Sequence, residues 1–340
     1  MNKISTPTLE DVSREAGVST ATVSRCLNSP SQVAEHTRSK VMTAVQKLNY
    51  SPNFGARALA AKRTNTIGAV IPTMENAVFA RGIHAFQEEL REHGITLLVA
   101  CSSYREELET EQIRTLVARG ADALLLIGHH RDPAIYRFLQ RQSVPVLSAW
   151  VYDAGHPNLS IGFDNKQAMK SLAFAVLNMG HRHIGVISAQ QAANDRARAR
   201  VEGIRAAMAD YGVSPELMKL TEVPYGIEEG GTAFRDLMQA KDRPTVVMCG
   251  NDVLAAGALR QAIQMGLRVP QDVSITGFDD IELATVLTPE ITTVHVPHRE
   301  MGRQAAKHLI AMVAGNGPDT SIELDTRLCL RGSLGPCPKP

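Results

Sequence analysis

Residues 8–28, TLEDVSREAGVSTATVSRCLN, contain the signals of two short helices joined by a turn. Thr8 precedes Asp11 by three residues, which is the spacing of a capping box at the start of a helix. Gly17 ends this first helix, and Ser19 is placed to cap a second one. Two short helices joined by a turn that contains glycine form a helix-turn-helix. The sequence therefore predicts a small all-α head.

The second helix of the pair has two different faces. Val23 and Leu27 lie one turn apart on the face that would pack inward. The other faces carry small polar side chains and Arg25, whose planar group suits the O6 and N7 acceptors of guanine. In a helix-turn-helix this helix enters the DNA major groove, although the same pattern also fits a surface helical hairpin. The predicted DNA contacts on this element are Ser19, Thr20, Ala21, Thr22, Ser24, Arg25 and Asn28.

The charge of the chain is divided unevenly along its 340 residues. Residues 1–65 contain nine Lys or Arg and four Asp or Glu, whereas the remainder contains 27 and 31, so a net charge of +1 hides a basic head on a mildly acidic body. The phosphate backbone of DNA attracts such a head, although a solvated charged helix would give a similar balance.

Motifs along the whole chain resemble those of the lactose/galactose repressor (LacI/GalR) family. Besides residues 8–28, the matching segments are LNYSPN at 48–53, ARALA at 56–60, GHRHIG at 180–185, ARARVEGI at 197–204, GND at 250–252, GFDD at 277–280 and ITTVHVP at 291–297. The resemblance implies a ligand-responsive repressor that binds a pseudo-palindromic, double-stranded operator as a homodimer. It also implies four further DNA contacts, namely Thr37, Tyr50, Asn53 and Ala56.

Residues 53–60 form a helical pattern that is too short to be stable alone, because isolated helices below about 12 residues are marginal in water. The resemblance implies a hinge helix that folds when two copies meet on DNA, with Leu59 entering the minor groove. The alternative is an ordinary linker.

Beyond residue 66, patterns of buried strands alternate with amphipathic helices, first up to PVLSA at 145–149 and again from SIGF at 160–163 to VSITG at 273–277. This alternation predicts right-handed βαβ units and a parallel doubly wound sheet, here twice. The predicted fold class is a small all-α helix-turn-helix head plus an α/β core of two doubly wound parallel-sheet subdomains. The resemblance implies a periplasmic-binding-protein-like core.

The expected domain division follows these patterns. The predicted units are a DNA-binding domain at 1–52, a hinge helix and linker at 53–65, an N-terminal core subdomain at 66–162 with 296–322, a C-terminal core subdomain at 163–295 with 323–332, and a tail at 333–340.

Open α/β sheets bind ligands at the carboxyl ends of their strands, and the loops there combine aromatic and polar side chains. Such a mixture suits a small polar molecule such as a sugar. By matching motif, the resemblance implies effector contacts by Arg200, Asn251 and Asp279, with aromatic side chains close by. The full set of predicted effector residues is Phe79, Trp150, Phe163, Arg200, Tyr225, Asn251 and Asp279.

Each polar member of this set also has a purely structural interpretation. Asn251 and Asp252 are placed to cap the next helix, and Asp279 is placed to bond its own turn. Arg200 lies two residues from Glu202 and would pair with that or another surface acid. Their joint occurrence at strand ends, in family order, favours binding.

The chain also departs from the family pattern. Trp150 stands where many members have a polar or acidic residue, and Pro297 follows TTVHV, so a pocket mapped from lactose-type repressors does not transfer in detail. IGFDN at 161–165 and GHRHIG resemble the branch that includes gluconate repressors, which favours a sugar acid as effector. The C-terminal RGSLGPCPKP has no leucine heptad, which favours a dimer over a tetramer.

The sequence disfavours two other classes of protein, an enzyme and a transport-type binding protein. IGAVIPTMENAVFARG at 67–82 lacks the GxGxxG of a dehydrogenase, and GxxxxGK[ST] is absent, so neither an enzyme nor a cofactor is predicted. The alternative function is a sugar-binding protein without regulatory DNA binding, which the head and the missing signal peptide disfavour.

No metal site or membrane segment is predicted. The five cysteines are scattered without ligand spacing, and His181 and His183 are interpreted as part of a solvated turn. With no run of 18 apolar residues, we expect a cytoplasmic protein with reduced thiols and no membrane partner.

Overall fold

The computed structural model describes residues 6–51 and 63–338. The chain divides into two compact units, Met1–Thr64 and Asn65–Pro340, and each is described by itself.

The first unit contains three helices. They are α1 (Leu9–Ala16), α2 (Thr20–Asn28) and α3 (Glu35–Lys47), with a short 3₁₀ turn at Pro30–Gln32. The predicted capping box of α1 is confirmed, because the side chains of Thr8 and Asp11 each accept from the other's backbone N–H. Gly17 ends α1 in the left-handed region, with φ of 66°, and the hydroxyl of Ser19 caps α2.

The small core of this unit forms where the three helices meet. Its fully buried side chains are Val12, Val23, Cys26, Val41 and Ala44. Two of these, Val23 and Cys26, lie on the inner face of α2, so packing orients the opposite face of that helix outward.

The second unit begins with alternating strands and helices. Its first half contains β1 (Thr66–Ile71), α4 (Ala77–Glu92), β2 (Thr96–Cys101), α5 (Glu106–Ala118), β3 (Ala123–Ile127), α6 (Pro133–Arg141), β4 (Val146–Ala149) and β5 (Ser160–Gly162). The alternation resumes with α7 (Asn165–Asn178), β6 (Ile184–Ser188), α8 (Asp195–Asp210), β7 (Met218–Glu222), α9 (Ile227–Gln239), β8 (Val246–Cys249), α10 (Asp252–Gln264) and β9 (Ser274–Thr276). It ends with α11 (Leu283–Val286), β10 (Thr293–His295), α12 (His298–Ala314), β11 (Ile322–Glu323) and β12 (Arg327–Cys329).

Two parallel sheets result, as predicted. The first has the strand order β11-β5-β4-β3-β1-β2, and the second has the order β7-β6-β8-β9. In the first sheet β1 pairs in parallel with both β2 and β3, and in the second β6 pairs in parallel with β7 and β8. Because β1 and β6 each have later strands on both sides, the sheets are doubly wound, and the loops in which effector residues are predicted lie at their carboxyl ends.

Three segments of the described core carry the chain between the two sheets. The first joins β5 to α7, which packs on α8. The second leads from β10, which bridges to the second sheet, into α12, which packs on α4. The third leads from β11, an edge strand of the first sheet, to β12, which pairs with β10.

The predicted domain boundaries remain a prediction, and two observations bear on them. The boundary between 322 and 323 falls inside β11. The stretch predicted as a tail is bonded to the rest of the core as far as Cys337. The N–H of Ile275 in β9 donates to the carbonyl of Ser333, and the N–H of Cys337 donates to the carbonyl of Met179 at the end of α7.

The interpretation of His181 as part of a solvated turn is wrong. Its side chain is fully buried, with one ring nitrogen 2.9 Å from the hydroxyl of Thr245 and the other 2.9 Å from the carbonyl oxygen of Gly335. Burial lowers the pKa of this histidine. His181 therefore anchors the C-terminal segment to the second sheet. Within the described ranges, no helix is long and apolar enough to cross a membrane.

Candidate functional site

The exposed face of α2 is the first candidate site. Thr20, Ala21, Arg25 and Asn28 are exposed, and Ser24 is half-buried beside Asn28, whose amide donates to its hydroxyl at 3.2 Å. Within residues 6–51, Arg25 makes no ion pair, so its guanidinium is available for an external partner. A helix face of small polar side chains with one uncommitted arginine is suited to base edges in a major groove.

The start of α2 is held in place by local hydrogen bonds. The hydroxyl of Ser19 accepts from the N–H of Thr22 at 3.1 Å and lies 2.9 Å from the hydroxyl of Thr22. An ion pair between Lys47 and Glu15, at 2.6 Å, ties α3 to α1. Cap and core therefore preorganise the exposed face.

The remaining predicted DNA contacts are placed less clearly. Thr37 in α3 and Tyr50 just after it are half-buried. Asn53, Ala56 and Leu59, together with most of the predicted hinge, lie outside the described residues.

The second candidate site is centred on Arg200, in α8. Its Nε donates to Asn165 Oδ1 at 2.9 Å, its Nη1 donates to the carbonyl of Gly250 at 2.7 Å, and its Nη2 lies 3.5 Å from Asp279 Oδ1. The guanidinium carbon also sits 3.9 Å from the centroid of the Phe278 ring. Arg200 therefore joins four chain segments and pairs with Asp279, and the alternative pairing with Glu202 is wrong.

Asp279 is the least satisfied group of this cluster. It lies buried in the loop after β9, and its Oδ1 accepts no hydrogen bond from the described residues. Burial raises the pKa of its carboxyl to about 6, against the opposing effect of Arg200 and Arg196. A buried acceptor without a donor is costly in free energy, so a bound hydroxyl or N–H group would gain from occupying this position.

The loop that presents Asp279 is held by its neighbours. Asp279 and Asp280 have φ of 102° and 55°, in the region that disfavours side chains, so their conformation needs support. Asp280 Oδ1 accepts a hydrogen bond from Arg331 Nη2 at 2.6 Å, and Asp280 Oδ2 lies 2.9 Å from His295 Nδ1. From the other side, Asp252 Oδ2 accepts from the N–H of Ile281 at 2.8 Å.

Asp252 itself is a buried carboxyl with a strongly altered pKa. Its Oδ1 accepts from the hydroxyl of Thr293 at 2.7 Å. Burial, followed by the nearby charge of Asp279, raises its pKa to about 8. It therefore keeps its proton at neutral pH and supports the loop as a neutral hydrogen-bonding group.

Two tyrosines face each other across the same cluster. The rings of Tyr104 and Tyr225 have centroids 5.8 Å apart, in a tilted arrangement, and burial raises the pKa of both hydroxyls. The electrostatic influence of Arg200 and Asp279 reaches both. Tyr104 follows β2, so it brings the first sheet to a site whose other members come from the second.

Trp150 and Phe79 lie behind this cluster, within the first half. Their rings form an edge-on pair with centroids 5.4 Å apart, and both side chains are buried. Trp150 adopts φ of 60°, which is rare for a bulky residue. Phe163 is also buried and stacks on Phe278, at 5.9 Å between centroids. These three aromatics therefore form the wall behind the polar groups.

An open cleft lies beside the cluster. This cleft of about 620 Å³ lies between loops of the two halves, and none of the predicted effector residues lines it. Its walls include His129, stacked on His156 at 3.7 Å, and Asp195, whose Oδ2 accepts from the N–H of His129 at 2.6 Å. Asn165 lines the cleft and also bonds Arg200, so the open space and the buried cluster share a wall.

The predicted effector residues thus separate by what they do. Arg200, Asp279 and Tyr225 form a polar group with Tyr104, whereas the side chain of Asn251 caps α10 by accepting from the N–H of Leu254 at 2.9 Å, as the structural interpretation expected. Whether any of the set binds an effector remains a prediction.

Sequence reasoning missed Tyr104, Asn165 and His298, which all contact the cluster or its wall. Tyr104 was detectable, because it follows the strand LLVAC at its carboxyl end. Asn165 and His298 also lie three residues after a strand end, but each begins a helix, and their hydrogen bonds to Arg200 and Trp150 depend on tertiary packing. Across the described parts of the chain, no group of three or more His, Cys, Asp or Glu side chains is placed to hold a metal ion.

Comparisons with known proteins divide the chain in the same way. Residues 8–53 match the family model for bacterial regulatory proteins of the lacI family, and residues 175–334 match a periplasmic binding protein-like domain.

Curated relatives are similar along nearly the whole chain. The HTH-type transcriptional regulator GntR of Pseudomonas aeruginosa is 32% identical over 329 residues, which cover 96% of this chain and 95% of the relative. The HTH-type transcriptional repressor PurR of Salmonella paratyphi A is 33% identical over 337 residues, covering 97% and 98%.

Solved structures agree with this similarity. A LacI family transcriptional regulator from Silicibacter pomeroyi has a TM-score of 0.88 at 26% identity, covering 97% of this chain and 99% of that one. The lac repressor dimer bound to operator and an anti-inducer has a TM-score of 0.86 at 25% identity, covering 97% and 100%.

Proposed function

The chain belongs to the lacI family of bacterial regulatory proteins, and from that premise we propose that it represses genes for the use of a carbohydrate or sugar acid in response to that ligand. Its relatives are HTH-type transcriptional regulators and repressors, and it has the head and the core that this activity requires. We further propose that it works in the cytoplasm and binds its ligand without transforming it. A binding protein without regulatory DNA contacts is disfavoured, because the head matches the family model.

We propose that the head reads DNA with α2. Thr20, Ala21 and Arg25 are exposed at or near the N-terminal part of that helix, which enters the major groove in this motif. Ser19, Thr22, Ser24, Asn28, Thr37 and Tyr50 complete the proposed contacts of the described head. The proposed hinge contacts Asn53, Ala56 and Leu59 rest on sequence alone.

Two heads acting together would explain a pseudo-palindromic operator, because a two-fold symmetric dimer presents two equivalent reading helices. One solved neighbour, the lac repressor, is a dimer bound to its operator. We propose the same homodimeric arrangement for this chain.

The single observation that carries the ligand proposal is the buried Oδ1 of Asp279, which lacks a hydrogen-bond donor. A sugar hydroxyl is a donor of the right kind, and Arg196 and Arg200 nearby would stabilise the carboxylate of a sugar acid. The rings of Tyr104 and Tyr225 offer apolar faces to the carbon skeleton. Phe79, Trp150, Phe163 and Asn251 then shape the wall of this site.

Regulation would follow from the position of the site between segments of both halves. A ligand that prefers one relative position of the halves shifts the population toward it, and only a difference in affinity between the two states is needed. Titration of DNA with and without ligand determines whether the ligand releases or promotes binding.

A thermal-shift screen of sugars, sugar acids and nucleosides tests the proposal. A ligand that binds only the folded state adds roughly 2.7 kcal/mol at 100 times its Kd. We expect a sugar acid to stabilise the wild-type protein and to leave the Asp279→Asn variant unshifted. A nucleoside as the sole hit would contradict the carbohydrate assignment, and a hit that leaves binding to a selected operator unchanged would contradict ligand control.

A further inference from the structure

Trp150 is the only tryptophan of the chain, and its single hydrogen-bond donor is already used. The indole Nε1–H donates to His298 Nδ1 at 3.1 Å, and both side chains are buried. Trp150 was expected to contact an effector. Because an indole has no other polar group, Trp150 has no polar contact left to offer a ligand.

The same bond determines the protonation of His298. Burial lowers the pKa of His298 to about 3, so its ring is neutral near pH 7 and carries one N–H. Nδ1 accepts from Trp150, so the proton is on Nε2, which donates to the backbone carbonyl of Asp279 at 3.2 Å. His298 therefore connects Trp150, at the end of a strand of the first sheet, to the loop that holds the unsatisfied carboxylate.

A second path joins the same two residues. The carbonyl of Trp150 accepts from Asn165 Nδ2 at 3.0 Å, Asn165 Oδ1 accepts from Arg200 Nε at 2.9 Å, and Arg200 lies beside Asp279. The contacts therefore form a closed ring across the two halves, whose five residues are Trp150, His298, Asp279, Arg200 and Asn165. Trp150, with its unusual φ, is held by two bonds of this ring, one from its indole to His298 and one from Asn165 to its carbonyl.

From Trp150 the contacts continue into the helix pair that covers the first sheet. A Cβ on Gly82 of α4 would lie 2.5 Å from the Trp150 ring and 3.3 Å from the backbone oxygen of His298. Trp150 N also lies 3.3 Å from Met301 Sδ of α12. With no side chain at Gly82, the indole packs directly against α4, so a displaced indole would displace the α4–α12 pair.

We propose that His298 is a positioning residue that couples the Asp279 loop to Trp150 and thereby to α4, so that a ligand at Asp279 repositions the first half of the core. The inference rests on the proposed function in one respect, namely that the ligand binds at Asp279. The coupling itself is independent of any ligand.

The single indole N–H gives one resonance in a ¹H–¹⁵N spectrum, which reports the bond to His298 directly. Asp279→Asn removes the charge that faces Arg200 and is used here in place of a ligand. We expect it to displace the indole resonance in an otherwise wild-type full-length chain. In the His298→Leu background the Asp279→Asn displacement is reduced, because leucine neither accepts from Trp150 nor donates to Asp279 and only the path through Arg200 and Asn165 remains.

Two companion variants separate coupling from a merely structural role. His298→Gln keeps one acceptor and one donor and restores the displacement, whereas His308→Leu, a histidine further along α12, leaves it unchanged. If His298→Leu fails to fold, His298→Asn replaces it, since asparagine is too short to reach both partners.

The proposal is overturned if Asp279→Asn leaves the indole resonance in place, or if the displacement persists undiminished in His298→Leu. Because the experiment uses neither ligand nor DNA, its failure does not affect the ligand screen. A screen without hits would in turn contradict the proposed function and leave the coupling standing.

Discussion

Arg25 in the head and Arg200 in the core are the same residue type in opposite settings. Arg25 is exposed on α2 and makes no ion pair within residues 6–51. Arg200 is buried, donates hydrogen bonds to Asn165 and Gly250, and forms an ion pair with Asp279. An exposed arginine contributes little to folding and remains available for a partner, while a buried one is part of the fold. Recognition of DNA and response to a ligand are therefore expected to fail in different ways when these residues are changed.

Of the two arginines, Arg200 should contribute far more to the free energy of unfolding. Arg200→Ala leaves Asp279 buried without its cation, and breaking a buried pair costs roughly 3–5 kcal/mol. We expect urea unfolding of the core to shift accordingly. Arg198→Ala is the matched control on the same helix, since its Nη1 donates only to the carbonyl of Gln191 in the described contacts, and it should shift unfolding far less. Equal losses would show that Arg200 does not anchor the fold.

The converse experiment concerns DNA. Arg25→Ala should weaken binding to the specific operator by about 1–3 kcal/mol and relax the preference at one base position per half-site, with unfolding unchanged. Titration by fluorescence anisotropy measures this, with Arg14→Ala as control, because Arg14 is exposed on α1 and pairs with Asp11. The same loss on random DNA would mean that Arg25 contacts phosphate.

The buried and exposed acids of the core should differ in their response to pH. Asp252 has a pKa raised from 3.8 to about 8, so between pH 6 and 8 the folded state keeps a proton that the unfolded state has lost. Stability then falls as pH rises, by at most about 1.4 kcal/mol per pH unit for one group. This part of the slope is absent in Asp252→Asn.

Asp272→Asn is the control for that slope. A side-chain hydrogen bond from Arg268 lowers the pKa of Asp272 to about 2, so it does not titrate between pH 6 and 8. Identical unfolding profiles for wild type and Asp252→Asn over this range would show that Asp252 is ionised in the folded protein.

Within the head, the N-cap of α2 is expected to make only a small contribution to stability. Ser19→Ala removes the cap of α2 and should destabilise that helix by about 1 kcal/mol. Faster amide exchange in α2 would reveal the loss, while Ser39→Ala, on an exposed face of α3, should leave α2 unchanged. Unchanged exchange in the Ser19 variant would mean that tertiary packing alone holds α2.

The head and the alternation of strands and helices were predictable from sequence because they depend on interactions between residues that are close in the chain. The predicted helix caps of the head are confirmed. Their hydrogen bonds join residues only three or four positions apart, so the sequence shows them directly. The residues concerned are Thr8, Asp11, Gly17 and Ser19. The alternation of strands and helices likewise predicted two parallel sheets. These signals are local in the chain.

The core cluster shows where prediction from sequence ends. Trp150 and His298 are more than a hundred residues apart in sequence, and no periodicity predicts that the indole N–H donates to the histidine ring. Arg200 pairs with Asp279 instead of Glu202 because the two side chains are buried together, and an effector contact by Asp279 stays a prediction. The predicted hinge contacts lie outside the described residues and stay a prediction.

The three segments that pass between the sheets have a consequence for synthesis on the ribosome. The first sheet receives its edge strand β11 and its covering helix α12 only after the whole second sheet has been made. Until then the apolar surface beneath α12 stays uncovered, including the part of Trp150 and Gly82 that the helix later buries. We therefore expect the nascent first half to need chaperones, and a chain truncated before residue 298 to aggregate instead of forming a separate domain.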